Sequence, residues 1–84
     1  MGELSTLPNI GKIVEQQLNK VGIETYKQLI EIGSKQAWLS IKSIDDSACI
    51  NRLYALEGAI QGIRWHNLSE EAKEELKEFY NAFK

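Results

Sequence analysis

Apolar residues in this chain recur at intervals of three and four. Nowhere do they alternate with polar ones over a strand's length, so every element is expected to be helical. Ile13, Val14, Leu18 and Val21 mark one helix, which Gly22 ends. Thr25 and Gln28 have the spacing of a capping box, and Tyr26, Leu29 and Ile30 supply the inward stripe of a short helix that stops at Gly33. Ser34 is the expected cap of another short helix with Ala37, Trp38 and Ile41 facing inward. Residues 42–47 form a polar joint in which Asp45, Asp46 or Ser47 is expected to cap the following element.

Cys49, Leu53, Leu56, Ile60 and Ile63 then run through the longest apolar stretch, residues 48–63, which is the expected central core helix. The same stretch carries Ala55, Gly58, Ala59 and Gly62. A glycine inside a helix costs about 1 kcal/mol relative to alanine. The expected compensation is close approach of another backbone, from this chain or from a second copy. Residues 64–67 break the helix, Ser69 caps the last one, and Ala72, Leu76, Phe79, Tyr80 and Phe83 form its apolar edge. Residues 3–6 leave room for no more than one turn at the start. The fold class that follows is all-α: one compact bundle of about five helices over residues 1–84, with a core built on Leu18, Leu29, Trp38, Leu53, Leu56, Ile60, Leu76 and Phe79.

The candidate chemistry concentrates where the chain enters its first full helix, at Leu7-Pro8-Asn9-Ile10-Gly11-Lys12. Pro8 fixes φ and cannot lie within a helix, while Asn and Gly accept positive φ, so a tight turn is expected there. The unpaired amides of residues 10–13 would stand at the positive end of a helix dipole beside Lys12, an arrangement that favours an anion. This segment resembles the hairpin and second helix of a helix-hairpin-helix element. That resemblance implies a nucleic-acid phosphate as the anion, with Asn9, Ile10, Gly11 and Lys12 as the contact residues. The alternative is a loop that only joins two packed helices.

Composition limits the options further. The 84 residues carry a formal net charge of −2, which excludes tight non-specific binding of DNA by a broadly basic surface. The charge is unevenly placed: five of the twelve acidic and three of the ten basic residues lie in the last helix, leaving seven of each before it. A locally basic hairpin on a neutral body would bind DNA weakly and in a salt-sensitive manner. The single cysteine excludes an internal disulfide, and with a single histidine there is no expected metal site or cofactor. Cys49 reads as a small buried hydrophobe and His66 as an exposed or capping residue. Glu70, Glu71, Glu74 and Glu75 read as acids favoured by the start of a helix. The protein is therefore expected to be non-enzymatic. Arg52, Arg64, Tyr54, Trp65 and His66 form a secondary set suited to phosphate contact, stacking or protein docking, with Trp65 read as a plug between helices. No apolar run reaches membrane-span or signal-peptide length, so a cytoplasmic location is expected. Residues 1–6 fit a short N-myristoylation pattern.

Two blocks carry a wider resemblance: the hairpin with Leu18 and Gly22-Ile23, and Asn51-Arg52-Leu53-Tyr54-Ala55-Leu56-Glu57-Gly58-Ala59-Ile60-Gln61-Gly62-Ile63-Arg64-Trp65. Over roughly residues 4–80 the chain resembles the C-terminal domain of the TfoX/Sxy family of bacterial competence regulators. The resemblance implies a SAM-like, helix-hairpin-helix-related domain acting in transcription regulation of DNA uptake, alongside a transcription-related protein. Full-length members carry an additional N-terminal α/β domain, so the sequence is read as the C-terminal domain standing alone. Two function classes follow. The first is a regulatory module touching DNA weakly through the hairpin. The second is a docking or self-association domain, in which a homodimer would supply a second copy of the hairpin.

Overall fold

Each joint between helices is fixed by a residue suited to its local geometry. In the computed structural model, which describes residues 3–83, a 3-10 turn over Leu4–Thr6 leads into the hairpin and then into α1 (Lys12–Lys20), α2 (Tyr26–Ile32), α3 (Ser34–Ile44), α4 (Ile50–Gln61), a second 3-10 turn at Trp65–Asn67, and α5 (Glu70–Phe83). The architecture is the expected five-helix all-α bundle. Gly22 ends α1 at φ 89°, with its amide on Asn19 O and that of Ile23 on Leu18 O. This double bond pattern is a Schellman stop, and it places Ile23 back against the core. α4 closes in the same way, with Gly62 at φ 77°, Gly62 N on Ala59 O and Ile63 N on Gly58 O. Gly62 is therefore a helix stop and not a point of close backbone approach. The central helix ends at Gln61, short of the expected Ile63.

The expected capping box at Thr25 and Gln28 is present in both directions, and Ser69 Oγ accepts from the Ala72 amide at 3.1 Å. Two other expected caps are corrected. Gly33 precedes α3, and Ser34 lies inside it with its hydroxyl donating to Glu57 Oε1 at 2.6 Å. Cys49 precedes α4 with no side-chain cap, because Asp45 is bound to Ser47 and Gln17.

α4 is the hub, packing against α2, α3, α5 and the second 3-10 turn. Leu53 and Leu56 share one buried cluster with Leu18, Leu29, Trp38, Ile41 and Leu76. Ile60 and Phe79 pack against its edge. The turns add Leu4, Ile10, Ile23, Ala48 and Leu68, residues outside the helical stripes. Expectations fail at the helix margins: Ile30 is 47% and Phe83 51% exposed, and Cys49 is exposed at the joint before α4, while Ile13, which fits the α1 spacing, is 63% exposed. Leu18 and Leu29 already fill the inward faces of α1 and α2, so the neighbouring isoleucines turn outward. Met1 and Gly2, which the lipidation pattern needs, lie outside the described residues. Among the described residues, no helix is long and apolar enough to cross a membrane.

Candidate functional site

Pro8 and Asn9 occupy the two central positions of a turn closed by the Ile10 amide on Leu7 O at 3.3 Å. Asn9 has φ 69°, the left-handed conformation that asparagine accepts more readily than most residues. Gly11 does not share it, since its φ is −95°.

Asn9 faces inward. Its amide group donates to Ile63 O at 2.9 Å and Ala55 O at 3.4 Å, and its Oδ1 accepts from the Trp65 amide at 3.1 Å. One side chain thus ties the hairpin to α4 and to the turn that follows α4. The space for this contact exists because residue 58 is glycine. A Cβ on Gly58 would stand 2.6 Å from Asn9 Nδ2, 2.8 Å from Ile63 O and 3.1 Å from Trp65 Cα. The expected close approach at Gly58 therefore occurs within one chain.

The four hairpin residues divide in two. Asn9 and Ile10 anchor the loop, Ile10 with its side chain buried and its amide used within the turn. Gly11 and Lys12 face solvent. The first α1 bond runs from Glu15 N to Gly11 O at 3.0 Å. Among the described residues, the amides of Gly11, Lys12, Ile13 and Val14 have no hydrogen-bond acceptor, and Gly11 has no side chain to cap the helix. Nothing lies within 4 Å of the position a Gly11 Cβ would take. Chemically, the loop is an open set of amides at a positive helix end, with one exposed ammonium beside it.

The secondary set splits too. Arg52 donates to Gln17 Oε1 at 2.6 Å and lies 3.6 Å from Asp45 Oδ2, so its charge is engaged inside the bundle. Asp45 also accepts from Ser47 and, at 2.7 Å, from Gln17 Nε2. The Ser47 hydroxyl, then Gln17 and the Ser47 amide, with Arg52 adding least, hold the Asp45 carboxyl at about 2, below its ordinary 3.8. Arg64 is exposed and, among the described residues, its side chain takes part in no ion pair. Trp65 is half-buried, packed on the core edge as expected for a plug, and it stacks on Tyr54 and His66. Among the described residues, no group of three or more His, Cys, Asp or Glu side chains is placed to hold a metal ion. Sequence reasoning missed the inward role of Asn9 and the Gln17–Asp45–Arg52 network. The only signal for the first was the residue type itself, since a turn position that needs positive φ, filled by Asn rather than Gly, leaves a side chain free to bond elsewhere.

Fold and site together define a small all-α domain whose hairpin is clamped from behind by its central helix and open in front. The TfoX C-terminal domain model matches residues 1–80, and the chain belongs to that family. It is 34% identical over 76 residues to Protein Sxy of Escherichia coli (strain K12), a match covering 90% of this chain and 36% of that protein. The chain thus spans about a third of the length of that curated relative. Two crystal structures of Listeria monocytogenes proteins of unknown function are similar. A triclinic form has 56% identity and a TM-score of 0.94, over 96% of this chain and 92% of that one. A tetragonal form has 55% identity and a TM-score of 0.95, over 98% and 100%.

Proposed function

We propose that this domain is a non-enzymatic regulatory module, of the kind implied by the competence regulators it resembles, which touches DNA weakly through the front of its hairpin. The observation that carries this reading is the open row of amides from Gly11 to Val14 beside Lys12. A phosphate oxygen suits those donors, and the helix dipole adds to the attraction. Asn9 and Ile10 serve the contact indirectly by holding the loop rigid, so that little ordering entropy is lost on binding. With one exposed lysine at the hairpin and a net charge of −2, the affinity is modest and falls with salt.

Titration of a labelled duplex at low and moderate salt tests this reading. Lys12→Ala should weaken all duplex sequences alike and reduce the salt slope by roughly one unit. Gly11→Val should abolish binding while the helices stay intact, because the Gly11 φ is ordinary and its Cβ site is open. Equal binding by wild type and both variants would move the contact elsewhere, to Arg64.

A second reading rests on a separate observation. Ile13 at 63% and Ile44 at 50% exposure are large apolar side chains left in solvent, which suits docking on a transcription-related protein or a second copy of the chain. Absence of any duplex or single-strand binding at low salt, together with a mass above that of the monomer in light scattering, would favour this reading.

A further inference from the structure

Tyr54, Trp65 and His66 form a stack at the surface next to the hairpin. The Trp65 ring lies 5.5 Å from Tyr54 at 19° and 3.9 Å from His66 at 25°. His66 and the adjoining Arg64 are exposed, and Lys73 reaches the same turn, donating to His66 O at 3.2 Å. The Trp65 amide is held by Asn9, so stack and hairpin form one unit. The large exposed apolar residues (Ile13, Ile30, Ile32, Ile44 and Phe83) do not belong to this stack. It is bordered instead by charge.

We infer that this stack, with Arg64, is a step for an unpaired nucleobase, so that the surface running from the hairpin takes single-stranded nucleic acid. The inference rests on the hairpin reading given under Proposed function and extends it to a class of strand. A planar aromatic step offers its face to a base already out of a duplex, since paired bases have their faces covered by their neighbours. Every base has such a face, so the step is tolerant of sequence. Arg64 supplies charge for the adjoining phosphate and a planar group that stacks. Tyr54 also lines a shallow cleft of about 180 Å³ together with Glu70, Glu74, Lys73 and Lys77. The two carboxylates there offset the two lysines, whereas Arg64 is exposed and leaves its charge available to a phosphate.

The experiment compares an oligothymidylate with a duplex of equal length at low salt, using anisotropy of the labelled nucleic acid and tryptophan fluorescence of the protein. Trp38 is fully buried, so quenching by a stacked base reports on Trp65. The single strand is expected to bind more tightly and to quench. His66→Ala should weaken the single strand roughly fivefold or more, leaving duplex affinity within about twofold. Arg64→Ala should weaken both, and far-UV circular dichroism checks that each variant is folded. Equal affinity for the two forms, or single-strand binding and fluorescence unaffected by His66→Ala, would overturn the inference while duplex binding keeps the hairpin reading. Failure of both nucleic acids to bind at low salt would overturn the two together.

Discussion

Gly58→Ala should destabilise the protein, against the usual sign of that exchange in a helix. Alanine inside α4 gains about 1 kcal/mol of helix propensity, and nothing else would change if the site were open. It is not open, because the new methyl carbon would lie 2.6 Å from Asn9 Nδ2, 2.8 Å from Ile63 O and 3.1 Å from Trp65 Cα. Two of those neighbours are backbone and cannot rotate away, so the helix and the following turn must separate, an overpacking cost of roughly 1–3 kcal/mol. The third is the side chain that joins them, and displacing it loses its bonds to Ile63 O and Trp65 N, each contributing about 1 kcal/mol. The costs exceed the gain by about 2–4 kcal/mol, which for a domain this size lowers Tm by roughly 10–25 °C. Urea unfolding followed by far-UV circular dichroism reads the difference as a lower midpoint at unchanged slope. Combining the change with Asn9→Ala should cost less than the two singles added together, since the side-chain conflict is then already relieved. A midpoint equal to or above wild type for Gly58→Ala would refute the reasoning.

Leu56→Ala removes a fully buried side chain from the hub helix and should cost roughly 2–5 kcal/mol in the same assay; a loss below about 0.5 kcal/mol would take this residue out of the core. Asp45 gives a pH dependence of known sign. Its carboxyl titrates at about 2 in the folded chain against an ordinary 3.8, so its stabilisation is complete above the ordinary value and is lost as pH falls from 3.8 towards 2. The stability difference between wild type and Asp45→Asn should therefore narrow across that interval, and a constant difference would contradict the assigned bonds to Ser47 and Gln17.

The number of helices, the capping box and most of the core were legible because periodicity and cap residues are local signals, although α3 and α4 begin without the caps their residues suggested. What could not be read locally was how the turns are used. Ile10 and Ile23 lie outside any helical stripe, yet both are buried, since the hairpin and the Schellman stop fold them back into the core. Ile13 fits the stripe of α1 and is exposed, because α1 lies at the bundle's rim and has only one narrow face to bury. Cys49 was misplaced for a related reason, as α4 begins one residue later and leaves the thiol at its mouth. Of the hairpin, Gly11 and Lys12 stand in the open as their residue types suggested. The direction of Asn9 depends on a glycine 49 positions further along, and no local pattern contains that.

That long-range pairing explains why two separated blocks of the sequence belong to one device. Asn9 can hold Ile63 O and the Trp65 amide only if α4 stops at Gly62 and turns back, and only if Gly58 leaves room beneath. The Schellman stop uses the Gly58 carbonyl as well, so the same residue admits the hairpin on one side and ends the helix on the other. A hairpin linked to its own helix alone would be free to pivot at Leu7. Here it is fixed to the hub of the bundle, so the open amides of α1 and the stack of Tyr54, Trp65 and His66 keep one relative position. Loosening Asn9 should therefore disturb both surfaces together, even though Asn9 itself points away from solvent.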